Sequence, residues 1–171
     1  MFFENLNRCG CRCCPVKPQC PICPCDDDSN AYGTIYNIGD STLTIATPNT
    51  YVPVTLNTQG PASNTIPLPN AIRINNAGTY AVYYRLNLNA TSTESQTATA
   101  AVFDNGNIIA PTSSSAALVE TTEGNYAGVL TAESIVELNE GDVLTLQITS
   151  DTAGSLTLGH FGDATLLVKE F

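Results

Sequence analysis

The stretch Ala71-Ile-Arg-Ile-Asn-Asn-Ala-Gly-Thr-Tyr-Ala-Val-Tyr-Tyr-Arg-Leu-Asn-Leu88 decides how the rest of the chain is read. Ile72 and Ile74 alternate with Arg73 and Asn75. Asn75-Asn76-Ala77-Gly78 reads as a turn in which Gly78 supplies a positive φ. Tyr80, Val82, Tyr84, Leu86 and Leu88 then share one side, and Ala81, Tyr83, Arg85 and Asn87 share the other. Strict alternation of this kind is the signature of a strand with one face in an apolar core. Residues 71–88 are therefore expected to form a hairpin. The second face, with Tyr83 and Arg85, is neither plainly polar nor plainly apolar. It predicts a further interface, between copies of the chain.

The bulk composition limits what such a strand can belong to. The 171 residues suit one domain plus a short extension. Hydrophobic residues make up 43% and charged residues 13%, so there is enough apolar mass for a core and the surface relies on Ser, Thr and Asn. Six Lys and Arg stand against sixteen Asp and Glu, for a formal charge of −10. No basic cluster exists to neutralise phosphates, which argues against nucleic acid and anionic membranes as partners. No run of about 18 apolar residues is present, so no transmembrane helix is expected. Residues 1–8, Met-Phe-Phe-Glu-Asn-Leu-Asn-Arg, have neither a basic n-region nor an apolar h-region, so production without Sec export is expected.

Two segments divide the chain, residues 1–30 as a connector arm and 31–171 as the body. In the arm, Phe2, Phe3 and Leu6 form an apolar leader suited to docking in a partner's socket, since aromatic rings bury large area with few torsions to freeze. All seven cysteines follow, at Cys9, Cys11, Cys13, Cys14, Cys20, Cys23 and Cys25. Pro15, Pro18, Pro21 and Pro24 recur every third residue, the period of a polyproline II rod. Asp26-Asp27-Asp28-Ser29-Asn30 is the polar boundary. Beyond it cysteine disappears and no helical period is sustained. Short strands are expected at 32–38, 42–46, 51–56, 96–103, 108–110, 116–120, 126–130, 134–138, 143–149, 156–159 and 164–170, with 57–70 as a loop or edge excursion because of Gly60, Pro61, Pro67 and Pro69. Turns are expected at Asp104-Asn105-Gly106-Asn107 and Asn139-Glu140-Gly141-Asp142. This spacing predicts an all-β sandwich.

Three segments in order carry a resemblance. Ala77-Gly78-Thr79-Tyr80-Ala81-Val82-Tyr83-Tyr84 resembles the Gly-x-Tyr strand of complement globular heads and tumour-necrosis-factor jelly rolls. Residues 136–146, with Leu138-Asn139-Glu140-Gly141-Asp142-Val143, resemble their later hairpin, and Gly162–Lys169 their final strand. In texture the body is similar to the C-terminal domains of collagen-like exosporium glycoproteins of Bacillus. The resemblance covers about residues 31–171. It implies a ten-stranded jelly roll, a homotrimer, chain ends close together at its base, and a threefold contact lined by the strand after Gly78. Tyr83, Arg85 and Gln147 are the trimer-facing residues on that reading. The departure is the arm: a Cys/Pro spacer stands where those relatives carry Gly-x-y repeats. That is similar in outline to endospore appendage subunits, whose Cys-bearing connector cross-links along a fibre.

Alternatives remain for each candidate site. The cysteines suit intermolecular disulfides, because seven is odd and the vicinal Cys13-Cys14 pair rarely closes on itself. Internal disulfides are a second reading. A metal site is a third, since Cys20-Pro-Ile-Cys23 has zinc-knuckle spacing, but Pro21 and Pro24 remove amide donors that such sites use. His160 is the sole histidine and reads as a strand-end residue rather than part of a triad. Asp26–Asp28, Asp104, Asp142 and Asp163 read as solvated turn acids rather than calcium ligands. Ser113–Ser115 and Thr91–Thr93 read as ordinary surface loops rather than glycan sites. No catalytic residue, metal or cofactor is expected.

The expected function is structural: a self-assembling subunit of a bacterial spore-surface fibre or exosporium layer. Its partner is itself, first as a trimer and then as a polymer, with a spore-coat protein as a possible anchor. Its location would be the spore surface, reached when the mother cell lyses. The alternative is a tip adhesin or receptor-binding head held by the arm. An enzyme is the third class.

Overall fold

A computed structural model describes residues 30–91, 96–158 and 163–171. The arm residues 1–29, with the leader and every cysteine, lie outside the described residues, as does His160. The described chain forms two antiparallel sheets packed face to face.

The front sheet contains β1 (Tyr32–Tyr36), β4 (Thr58–Ser63), β7 (Gly78–Thr91), β12 (Asn125–Leu138) and β15 (Ala164–Glu170), in the order β12-β7-β15-β1-β4. The back sheet contains β5 (Thr65–Leu68), β6 (Ala71–Ile74), β8 (Thr97–Asp104), β10 (Ser114–Ala117) and β13 (Val143–Ser150), in the order β10-β8-β13-β6-β5. These ten strands are the jelly roll. Five further strands extend it. In the front sheet β11 (Val119–Thr122) borders β12, and β2 (Ser41–Ile45) pairs β14 (Gly154–Leu158), which reaches β7. In the back sheet β3 (Val52–Pro53) pairs β13, and β9 (Asn107–Ile108) pairs β8.

The alternation in β7 positions the core. Tyr80, Val82, Tyr84, Leu86 and Leu88 are all fully or almost fully buried. Leu166 and Val168 of β15 and Ile35 of β1 continue the layer, and Ile72, Ile74, Leu144, Leu146, Ile148 and Val102 face them from the back sheet. The Tyr84 hydroxyl donates to the Ala100 carbonyl at 2.9 Å, so one buried hydrogen bond joins the two sheets. Burial pushes the Tyr84 phenol up to about 12.

Residues 71–88 are not a hairpin. β6 pairs β5 and β13 in the back sheet, whereas β7 pairs β12 and β15 in the front. Residues 75–77 arch from one sheet to the other. Both strands face the same core, and period 2 does not distinguish two strands that pair from two that face each other. Gly78 is not at a positive φ either. Positive φ falls at Asn49, Asn64, Asn70 and Asn105 and at Gly39, Gly106, Gly124 and Gly141. A Cβ at Gly78 would lie 2.8 Å from Glu170 Oε1, so a larger residue there would push aside the end of that side chain. The expected strands 126–130 and 134–138 are one, β12. Residues 57–70 form β4 and β5, an edge excursion that borders both sheets. Turn expectations at 104–107 and 139–142 hold, with Asn105 at φ 48°, Gly106 at 83° and Gly141 at 92°.

The start of the body and its last strand meet. The Ala31 amide donates to Glu170 Oε2 at 2.9 Å, and the Glu170 amide donates to the Ala31 carbonyl at 2.7 Å. The Phe171 amide donates to Thr79 at 3.1 Å.

Two outcomes follow from this packing. Replacing Tyr84 by Phe leaves the Ala100 carbonyl without its donor and should cost about 1–2 kcal/mol in chemical denaturation at fixed protein concentration. The folded state holds the Tyr84 proton more tightly than the unfolded state, so this contribution is complete below pH 10 and is lost as pH rises towards 12. The alkaline loss of stability should shrink in Tyr84→Phe. Gly78→Val should displace the Glu170 carboxylate and accelerate hydrogen exchange at the Ala31 amide, with the β7 core amides unchanged.

Candidate self-association face

The outer face of the front sheet is set by register. Because β7 turns its large apolar residues inward, its odd-numbered residues face outward, and the neighbours follow suit. One row across the sheet reads Glu133, Tyr83, Leu167, Thr34. The next towards the β7 C-terminus reads Thr131, Arg85, Thr165, Tyr36, and the next towards the chain ends reads Ile135, Ala81, Lys169, Tyr32. Tyr83 and Leu167 are half-buried at the centre. Around them Ile135 is 62% exposed, Val129 54%, Tyr32 42% and Phe171 72%. These side chains are spaced by Thr131, Glu133 and Lys169, and together with Tyr83 and Leu167 they make this face the candidate for association.

Polar groups frame the patch. Arg85 Nε donates to Asn87 Oδ1 at 3.3 Å, and Asn87 Nδ2 donates to Asp163 Oδ1 at 2.9 Å. Thr79 Oγ1 donates to Glu137 Oε1 at 2.6 Å. At the chain-end margin lies a depression of about 420 Å³ lined by Asn30, Ala81, Glu133, Lys169, Glu170 and Phe171. Ala81 is its small residue on the central strand.

Of the three residues expected at a threefold contact, Tyr83 and Arg85 share this face and Gln147 does not. Gln147 is on β13 in the back sheet and points out of the opposite side of the sandwich, where its Nε2 donates to Thr145 Oγ1 at 3.3 Å. Alternation assigned it correctly to an outer side but carried no information on which sheet. Sequence reasoning missed Val129, Ile135, Leu167, Tyr32 and Tyr36. The outward alternation along 129–137 would have found the first two had the strand been read as continuous.

The turn acids hold the fold together. Asp142 is buried rather than solvated: Oδ2 accepts the Asn139 amide at 2.7 Å and Oδ1 accepts Asn105 Nδ2 at 2.9 Å, tying the two turns. Asp104 beside it is raised above the usual carboxylate range, by burial first and the Asp142 charge second. Among the described residues no three of His, Cys, Asp and Glu gather as a metal site, and no helix is long and apolar enough to cross a membrane.

No family model and no curated protein matches the chain. Solved structures do match in shape. Murine APRIL at pH 5.0 superposes with a TM-score of 0.52 at 12% identity, over 83% of this chain and 99% of that one. Eiger TNF from S. frugiperda superposes with a TM-score of 0.57 at 11% identity, over 83% of this chain and 91% of that one. At such identities the likeness is one of fold, and it agrees with the strand order: the body is a jelly roll of the tumour-necrosis-factor type.

Proposed function

We propose that this chain is a structural, non-enzymatic subunit that builds a bacterial spore-surface fibre or exosporium layer. The observation that supports the reading is where the body begins. Residue 30 leaves the body beside the C-terminal strand, at the margin of the exposed face. One end of the body thus offers a self-association surface and the root of a connector with seven cysteines.

The outer face would bring three copies together around Tyr83 and Leu167, with Arg85 on the polar side of the contact. This agrees with the homotrimer implied by the sequence resemblance. Phe2, Phe3 and Leu6 would then dock on the next trimer, and Cys9 to Cys25 would seal the joint. Each disulfide forms as two thiols pass two electrons and two protons to dioxygen or to a small-molecule disulfide. Sealing after lysis fits a structure that outlasts the cell. A spore-coat protein would anchor the last unit. No nucleic acid, membrane or cofactor has a part in this scheme.

Negative-stain electron microscopy tests the scheme. Oxidised full-length protein should form regular fibres, reductant should release compact particles, and removal of residues 1–29 should leave soluble trimers. Discrete particles from the oxidised full-length chain, or fibres from the truncated one, would sink the scheme. Tyr83→Glu should shift the reduced protein from trimer to monomer in light scattering without loss of its β-sheet circular dichroism, since the side chain faces outward.

A further inference from the structure

The depression at the arm root has a chemistry matched elsewhere in the chain. Ala81 is its small residue on β7, Phe171 offers a ring, and charges of both signs line it, Lys169 on β15 and Glu133 on β12. Neither Lys169 nor Glu133 has an ion-pair partner among the described residues. The two strands flank β7, so their backbones stand roughly 10 Å apart.

The leader has the complementary sequence. Glu4 and Arg8 carry opposite charges four residues apart, roughly 13 Å in an extended chain. Phe2, Phe3 and Leu6 lie beside and between them. No proline occurs before Pro15, so every amide of the leader can donate. The long-range field also favours the encounter. Before residue 26 the arm holds three cations, Arg8, Arg12 and Lys17, against one acid, Glu4. Residues 31–171 hold three cations against twelve acids.

We infer that this depression is the socket for residues 2–8 of a second copy, with Glu4 on Lys169, Arg8 on Glu133, and the phenyl rings over Ala81 and against Phe171. The inference rests on the polymer reading above and gives it an address. A second copy is the fitting source because of length. Read as a polyproline II rod, residues 9–25 span roughly 53 Å, whereas a body of this size has a radius of gyration of roughly 14 Å. On that reading the leader would be carried clear of its own body.

A leader seated beside Asn30 also brings two cysteine groups together. Cys25 of the host is five residues from the socket, and Cys9 of the guest directly follows the seated segment. The guest's Cys9–Cys14 then meets the host's Cys20–Cys25.

The probe is a fluorescent peptide of residues 1–8, titrated under reductant into full-length protein carrying Phe2→Ala and Phe3→Ala, which empties the chain's own leader. Saturable binding is expected, weakened at least tenfold by adding Ala81→Trp, which fills the depression from an outward position. Lys169→Glu, at an exposed site, should weaken binding similarly and be restored by a peptide carrying Glu4→Lys. Binding unchanged by both substitutions, or no binding at all, overturns the socket. Fibres from an oxidised chain with Ala81→Trp overturn the socket while leaving the polymer reading in place, whereas no fibres from the unaltered chain overturn the polymer reading itself.

Discussion

The pairing of β7 with β12 runs without a break from Gly78 opposite Leu138 to Thr91 opposite Asn125. Everything else in the front sheet hangs on it. Side chains alternate with period 2, so a slip of one residue would move Tyr83 and Arg85 into the core and Tyr84 out of it. Burial of Tyr80, Val82, Tyr84, Leu86 and Leu88 makes that slip prohibitive, at roughly 1.5–3 kcal/mol for each large side chain returned to water. The same constraint that closes the core therefore aims the outer face. Ala81 and Tyr83 are held in place because their neighbours have nowhere else to go.

That coupling explains what the sequence revealed and what it withheld. The inward residues of β7 were legible one by one, because a buried face imposes a pattern that local reading detects. The turns at Asn105-Gly106 and Glu140-Gly141 were legible because their residue types suit left-handed backbone. Partner choice was not legible. Ile72 and Ile74 show the same alternation whether β6 pairs β7 or faces it across the core, and the sequence does not distinguish the two. Alternation likewise left open which sheet Gln147 joins, since an outward residue has two outer sides to choose from. Gly78 was assigned a positive φ that the structure does not show, and its nearest neighbour is the Glu170 carboxylate, 92 positions away, which no local pattern connects to it. The site was legible to the same degree: Tyr83 and Arg85 followed from one strand, whereas Leu167, Ile135 and Lys169 joined them through register.

The distribution of charge separates two kinds of contact. The centre of the outer face is largely uncharged, and contact there would be governed by apolar area and shape and would respond weakly to salt. The chain-end margin carries Lys169, Glu133 and Glu170, and contact there would be sensitive to ionic strength. A protein that associates first through one and then through the other has two steps with different dependences, which lets assembly within a body and assembly between bodies be separated by salt alone.

The hydrogen-bonded meeting of Ala31 and Glu170 bears on how the molecule carries load. A pull on residue 31 directed along the axis of β1 would load that strand from its end. β1 is held on one side by β15 and on the other by β4. Force in that direction strains the flanking hydrogen bonds together, in shear, instead of opening them one after another as a pull at right angles would. The body is thus clamped at its point of traction.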